Sequence, residues 1–331
     1  MDLASRRALS AVALAVLLAL PAAAKSAAAP APKEQAWVTK SNQNAQLLLQ
    51  VFAKYAPEGA GGLGVDGLDQ QITDLSRDQF EPANADTRAA IAELEQRLAA
   101  ETDAKVKQDL AILINSARDN ITTGTLNRKY FFPFNDITAM VYGVVQQTLD
   151  PRIPKARQKT VLVRLEKYAG LAKGYRPIAE LAKERTLERL AADPKLMGPF
   201  KGEVDQALND APTLLKGIKD ELTKSGLKGW DKSYAALEQQ LNAYTAWVKD
   251  FVLPRARTDH RLPPEVYADN LKQFGVDIGP EELISKALTS FAEMRNQANI
   301  TAGMIAKERG FADADYRAVI REIKKTQMAK D

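Results

Sequence analysis

The stretch LPRARTDHRLPPEVY, residues 253–267, separates two regions of helical pattern and decides how the chain is divided. It contains His260, the only histidine of the protein, among three arginines and one aspartate, with prolines on both sides. Proline fixes its own φ and has no amide proton to donate, so a helix does not continue through these positions. We therefore expect a long helical region before this stretch and a shorter group of helices after it.

Outward from this stretch, apolar residues recur every three or four positions, which predicts amphipathic helices. No run of alternating apolar and polar residues is bounded by turns, so strands are expected to be few or absent. The predicted fold class is all-α, an irregular array of about eleven helices built from antiparallel pairs. The predicted helices cover residues 37–55, 86–100, 103–121, 137–149, 155–168, 177–190, 202–208, 212–222, 230–251, 264–274, 280–308 and a last one that begins at Asp313 or Asp315.

The first residues have the pattern of a secretory signal. Arg6 and Arg7 precede an apolar run from residue 8 to residue 20, and small residues follow it up to Ala24. The run is short for a bilayer span, which needs roughly 20 residues. We predict a signal peptide at residues 1–24, a disordered leader at residues 25–34, rich in alanine and proline, and a helical region at residues 35–331. The expected location is the periplasm or the outside of the cell, with no membrane span after cleavage.

Composition narrows the chemistry that the chain can perform. The net charge of +4 is small and evenly spread, which argues against nucleic acid as a partner. There is no cysteine, so disulfides, thiolate metal sites and thiol nucleophiles are excluded. A histidine-based zinc site or a Ser-His-Asp triad would depend on His260 alone. The acidic pair Glu281 and Glu282 follows Pro280, where a helix start explains it.

Residues 57–67 form a glycine-rich segment that we interpret as a flexible loop. Residues 59–64, GAGGLG, fit the letters of a dinucleotide fingerprint. That fingerprint needs a strand before it and a helix at its end, whereas a helical pattern precedes it here. A connector is the favoured interpretation. The aromatic run YFFPF, residues 130–134, predicts a buried corner between helices or, as the alternative, a substrate-facing wall.

Two interpretations remain open for the charged residues of the central stretch. In the first, the arginines pair with the aspartate and with carbonyl groups at a helix end. In the second, these residues form a rim that holds a substrate carboxylate or contacts another domain, because arginine binds carboxylates bidentately. The candidate substrate- or domain-facing residues are Arg255, Arg257, Asp259, His260 and Arg261. No catalytic, cofactor-binding or metal-binding residue is predicted.

Several long segments resemble the N-terminal half of a bacterial family of zinc-peptidase-like proteins, catalogued as domain-of-unknown-function family 885. The segments are GVDGLD (residues 64–69), TDL (73–75), RLAAE (97–101), QDLAILI (108–114), LPRARTDHRLPPEVYADNL (253–271) and GPEEL (279–283). The resemblance covers nearly all of the chain after the signal. It implies a helical, carboxypeptidase-like fold.

Full members of this family carry a His-Glu pair followed by Pro-Gly-His in their C-terminal half, which implies a zinc site with glutamate as general base. This chain has no such motif, so the resemblance transfers no metal ligand or catalytic residue. We therefore expect no cofactor in this chain, and zinc only in full-length relatives. The expected partners are a peptide substrate or a missing C-terminal half, in a truncated protein that is inactive alone. The alternative is a periplasmic helical binding or scaffold module.

Overall fold

The computed structural model describes residues 35–327, apart from the side chains of the last two. The described chain is 74% helical and contains no strand, and eleven helices have seven residues or more. The predicted all-α class is therefore confirmed. The predicted signal peptide and leader, residues 1–34, lie outside the described residues.

Thirteen labels are used for the helices, in chain order. They are α1 Ala36–Tyr55, α2 Pro57–Gly62, α3 Phe80–Ala100, α4 Ala104–Tyr130, α5 Ile137–Thr148, α6 Lys155–Gln158, α7 Thr160–Tyr168, α8 Ile178–Ala192, α9 Lys201–Ser225, α10 Asp231–Trp247, α11 Pro264–Gln273, α12 Pro280–Arg309 and α13 Tyr316–Gln327.

Helices α1, α3 and α4 enclose the first hydrophobic cluster. Asp103 caps α4 by accepting hydrogen bonds from the backbone N–H groups of Lys105 and Val106. Leu94 on α3 and Leu110 on α4 are fully buried, so these helices pair as the predicted hairpin. α3 begins six residues earlier than the sequence indicated, and α4 continues to Tyr130 rather than residue 121.

The main core lies among α5 and the helices from α7 to α10. α10 packs against α7, α8 and α9, and its fully buried Leu237 and Leu241 explain that central place. Burying each leucine side chain stabilises the fold by about 1.5–3 kcal/mol. Asp136 caps α5 by accepting a hydrogen bond from the backbone N–H of Ala139. Phe132 is buried in this core, which favours the corner interpretation of the aromatic run.

Three further boundaries differ from the prediction. The segment predicted as a loop from residue 57 begins with α2, because Pro57 suits a first helical turn and Glu58 finds buried partners there. Pro212 does not begin a separate helix but lies inside α9, so the predicted helices of residues 202–208 and 212–222 are one continuous helix. The predicted helix of residues 155–168 is instead divided into α6 and α7 at Lys159.

The chain divides into two compact units between Val266 and Tyr267, within α11. In the second unit, α12 and α13 pack together around buried Ala302, Ala306 and Val319. In the described part of the chain, no helix combines the length and the apolar character needed to cross a membrane.

Candidate functional site

The candidate loop follows α10 through two irregular turns. A π-helical turn at Val248–Val252 is followed by a 3₁₀ turn at Leu253–Arg255, because Pro254 has no N–H for an α-helical bond. The backbone N–H of Arg257 donates to the Pro199 carbonyl at 2.9 Å, and the Lys201 N–H donates to the Arg257 carbonyl at 2.8 Å. The loop is therefore anchored through its backbone to the segment before α9.

Gly198 permits this close approach. A Cβ atom added there would lie 2.2 Å from the carbonyl oxygen of Arg255, which is far inside van der Waals contact. The same segment also reaches the end of α4, since the N–H of Met197 donates to the Tyr130 carbonyl at 2.9 Å. Three distant parts of the sequence thus meet at the base of the candidate loop.

The half-buried side chain of Arg257 contacts both the aromatic rings and the backbone around the loop. Its Cζ atom lies 5.7 Å from the ring centroid of Phe131 and 5.6 Å from that of Phe200. Cations are attracted to aromatic faces at such distances. Its Nη1 donates to the carbonyl oxygens of Asp259 at 2.8 Å and Arg261 at 3.3 Å. Arg257 therefore fits the first interpretation of the charged stretch, in which its residues order the loop.

The other two arginines are exposed. The Cζ atom of Arg255 lies 3.9 Å from the ring centroid of Phe251, and its Nη1 donates to the Phe251 carbonyl at 2.8 Å. The side chain of Arg261 is 85% exposed and lies 3.5 Å from the Asp259 carboxylate. The Arg261 backbone N–H donates to Asp259, which lowers the pKa of that carboxyl group. The loop therefore presents guanidinium groups to solvent.

The residues of this loop do not fit a zinc site. His260 is exposed and is the only imidazole of the chain, while a catalytic zinc takes three protein ligands. Among residues 35–327, no group of three or more histidine, aspartate or glutamate side chains converges in a way that suits a metal ion. The donor set of this chain thus disagrees with the zinc chemistry that the family resemblance implies.

A second polar cluster, which sequence reasoning missed, lies where residues 68–73 meet α7. The Glu58 carboxylate accepts hydrogen bonds from the Thr73 N–H at 2.8 Å, the Thr73 hydroxyl at 2.7 Å and the Tyr168 hydroxyl at 2.9 Å. Glu58 is buried and Tyr168 is fully buried, and burial raises the pKa of the Tyr168 phenol well above its usual value. These bonds fasten the segment after α2 to the main core.

Two arginines fasten the same segment from α6 and α7. Arg157 donates to both carboxylate oxygens of Asp69 at 2.8 Å, and this pairing lowers the pKa of Asp69. Buried Arg164 donates to the carbonyl oxygens of Leu68 and Gln71, each at 3.0 Å. The partners are about ninety residues apart in sequence, so no local pattern indicates them. Asp69 lies in a turn of this segment and is one end of a bidentate ion pair.

Two hollows lie elsewhere in the first unit. One has a volume of about 10 Å³, enough for a single water, beside Asp136, whose pKa is raised by burial. The other, about 380 Å³, is lined by Gln146, Gln147, Asp150 and neighbouring residues. None of the five candidate loop residues lines either hollow.

The family model described as "Bacterial protein of unknown function (DUF885)" matches residues 57–331, which is most of the chain. No curated protein matches it.

Proposed function

Because the chain belongs to the bacterial family of unknown function DUF885, we propose that it is a non-catalytic helical part of an exported zinc-peptidase-like protein. In this proposal the chain corresponds to the N-terminal half of such a protein and forms one wall of a substrate cleft. The observation that carries the proposal is the loop after α10, in which half-buried Arg257 orders the backbone while Arg255 and Arg261 remain exposed.

The chemistry of that loop favours a carboxylate ligand. Guanidinium groups bind carboxylates through charge-assisted hydrogen bonds that are stronger than neutral ones. Because the backbone of the loop is already anchored, little conformational entropy is lost when a ligand binds. We infer that Arg255 and Arg261, with His260 beside them, contact the free carboxylate of a peptide.

Peptide binding tests this directly. Short fluorescent peptides with a free C-terminal carboxylate should bind the purified chain, and the same peptides with an amidated C-terminus should bind more weakly. Arg261→Ala should lower the affinity roughly tenfold, the value of one charge-assisted hydrogen bond. The matched control is Arg88→Ala, which removes an exposed arginine on α3, far from the loop in sequence, and should leave affinity unchanged. Equal affinity for free and amidated peptides would overturn the carboxylate assignment.

The non-catalytic part of the proposal has its own test. This part is supported by the small number of possible zinc ligands, since the sequence contains one histidine and no cysteine. Metal analysis of the purified chain should find no stoichiometric zinc, and peptides incubated with it should remain uncleaved. One tightly held zinc per chain, with peptide hydrolysis that a chelator abolishes, would contradict this part.

Export is the remaining part of the proposal and rests on the pattern of the first residues. Cell fractionation should recover the protein in the periplasm or the medium, with an N-terminus near residue 25. Recovery of the intact N-terminus from the cytoplasm would contradict export.

A second candidate function is a helical binding or scaffold module with no part in peptide hydrolysis. The exposed apolar side chains of α12 favour it, since large exposed apolar patches mark interaction surfaces. Under this alternative the chain folds cooperatively on its own and binds free and amidated peptides equally weakly.

A further inference from the structure

The first two-thirds of α12 carries an apolar stripe that faces solvent. Ile284, Leu288, Phe291 and Met294 are between 54% and 65% exposed. Soluble proteins rarely leave so many large apolar side chains uncovered along one helix, and such surfaces mark sites of association. The packing of the second unit therefore does not account for these exposed apolar side chains.

The stripe has the spacing of a coiled-coil seam. In a seven-residue repeat, Ile284 and Phe291 occupy a positions, Ala287 and Met294 occupy d positions, and Leu288 and Arg295 occupy e positions. The same stripe continues through Ala298 to Ala302 and Ala306, where α13 packs on it. One end of the seam is thus already paired with a helix, and the other end is not paired within its own unit.

We propose that a second copy of this chain covers the stripe, with the two α12 helices antiparallel. In the proposed register the twofold axis lies level with Thr289 along the helix. Ile284 then packs against the partner's Met294, and Ala287 packs against the partner's Phe291. The twofold axis repeats both layers. In the layers of Ala287 and Phe291 a small residue faces a large one, an arrangement that helps to fill a helix interface without voids.

Charge complementarity identifies the partner as a second copy in this orientation. When two such helices run in opposite directions, their e positions lie opposite each other. The register set by the apolar layers then places Glu281 opposite the partner's Arg295, twice by symmetry, and Leu288 opposite the partner's Leu288. Glu281 and Arg295 are both exposed, and the Cζ atom of Arg295 lies 5.8 Å from the ring centroid of Phe291. Pairs at these positions set partner choice and orientation in coiled coils.

A parallel arrangement lacks these pairs. It would bring Leu283 beside the partner's Leu288 and Ser290 beside the partner's Arg295, with no opposite charges facing each other. The sequence of α12 therefore favours the antiparallel dimer over the parallel one, and it does so with the same residues that form the apolar layers.

The oligomeric state of the purified full chain is the first test. Sedimentation equilibrium should give twice the mass of one chain at micromolar concentration. Leu288→Glu and Phe291→Glu should each give the mass of one chain. The matched control, Thr289→Glu, changes the neighbouring residue on the outer side of the helix and should leave the dimer intact. These positions are exposed, so circular dichroism should show unchanged helix content. A single-chain mass for the unmodified protein would overturn the proposal.

The register has a separate test through its charges. Glu281→Arg and Arg295→Glu should each weaken the dimer roughly tenfold, because each places like charges opposite each other in both symmetric pairs. The double variant restores opposite charges and should recover most of the lost affinity. Failure of the double variant to recover affinity would overturn this register even if a dimer forms.

The lack of cysteine in the chain permits a third test. A Leu288→Cys variant should give a covalent dimer with a short bifunctional thiol reagent, because the two thiols lie opposite each other across the twofold axis. Thr289→Cys places the thiol on the outer side and should remain uncrosslinked. Equal crosslinking of both variants would indicate random collision and would overturn the proposal.

These outcomes are independent of the proposed peptide-binding role. Leu288→Glu should abolish the dimer and retain peptide affinity, whereas Arg261→Ala should lose peptide affinity and retain the dimer. If another protein or another segment of a longer chain covers the stripe, the purified chain will sediment as a single copy, which counts against the dimer alone.

Discussion

Glu58 shows at the level of one residue how a polar group can be buried without loss of stability. Its carboxylate has three hydrogen-bond donors within 2.9 Å, and they come from Thr73 and Tyr168. A buried polar group with its partners in place contributes modestly, whereas a buried group that loses its partner costs its full desolvation free energy. Removing one member of the cluster should therefore destabilise the protein by more than the intact hydrogen bonds contribute.

Removing the acceptor should cost more than removing one donor. Glu58→Ala leaves the buried Tyr168 hydroxyl and two half-buried donors of Thr73 unpaired, and we expect a loss of about 3 kcal/mol in the free energy of unfolding. Tyr168→Phe removes one hydroxyl and should cost about 1 kcal/mol. Urea unfolding measures both. Tyr175→Phe, which changes an exposed tyrosine nearby in sequence, is the control. Equal losses for Glu58→Ala and Tyr168→Phe would contradict this account.

Glu101 links the pH dependence of stability to a helix junction. Its side chain accepts hydrogen bonds from Lys40 and from the backbone N–H groups of Asp103 and Thr102, which lowers its pKa from 4.5 to about 2. The unfolded chain therefore binds this proton at a higher pH than the folded chain. The stabilising contribution is complete above pH 4.5 and disappears as the pH falls towards 2.

Glu101→Gln should remove this pH dependence. At neutral pH the variant should unfold at a lower urea concentration than the unmodified chain, and the difference should shrink as the pH falls from 4.5 towards 2. The control is Glu293→Gln, at an exposed position in the middle of α12, where no such effect on the first unit is expected. A constant difference for Glu101→Gln across this range would mean that the charge of the side chain has no part in its effect.

At the level of elements, the candidate loop depends on its contact with the segment before α9. Gly198→Ala places a Cβ atom 2.2 Å from the Arg255 carbonyl, so the loop or the segment must move. We expect a loss of about 1–3 kcal/mol, the usual cost of overpacking. Gly143→Ala is the matched control, because its Cβ meets nothing within 4 Å on the exposed side of α5 and should stabilise by about 0.5–1 kcal/mol. Chemical unfolding of both variants measures the contrast, and equal effects would contradict the docking role.

Sequence patterns predicted the helical elements well where local rules decide them. The predicted start of α5 at residue 137 is correct, because Asp136 caps this helix through a bond to a neighbour in sequence. The patterns failed where packing decides. Pro212 was predicted to begin a helix, yet it lies inside α9, which packs against α5 and continues past the proline.

The candidate site shows the same contrast between features set by neighbours in sequence and features set by distant contacts. Sequence reasoning singled out the charged loop but not the role of Arg257, because that role depends on Phe131 and Phe200, which lie far away in sequence. The same limit applies to Asp69 and Arg157. Composition could reveal the shortage of zinc ligands, since a count of donors needs no structure. The assignment of the five loop residues to substrate or domain contact stays a prediction.

At the level of the whole molecule, the two units differ greatly in the cores that hold them together. The first unit contains two clusters with many large buried side chains, whereas the buried cluster of the second consists of Ala302, Ala306 and Val319. Stability follows buried apolar area, so the second unit should unfold more easily. Because all three tryptophans, Trp37, Trp230 and Trp247, belong to the first unit, their fluorescence reports on that unit alone.

The two units should therefore give two transitions in urea. Circular dichroism should lose a minor part of its helical signal at low urea, when α12 and α13 unfold, while tryptophan fluorescence changes only at higher urea. Gly198→Ala, which acts on the first unit, should shift the fluorescence transition and leave the earlier one in place. If the α12 dimer forms, the earlier transition should also move to higher urea as protein concentration rises, because dissociation accompanies it. Coincident transitions by both probes would mean that the units unfold as one, and that the small core around Val319 is stabilised by more than its own contacts.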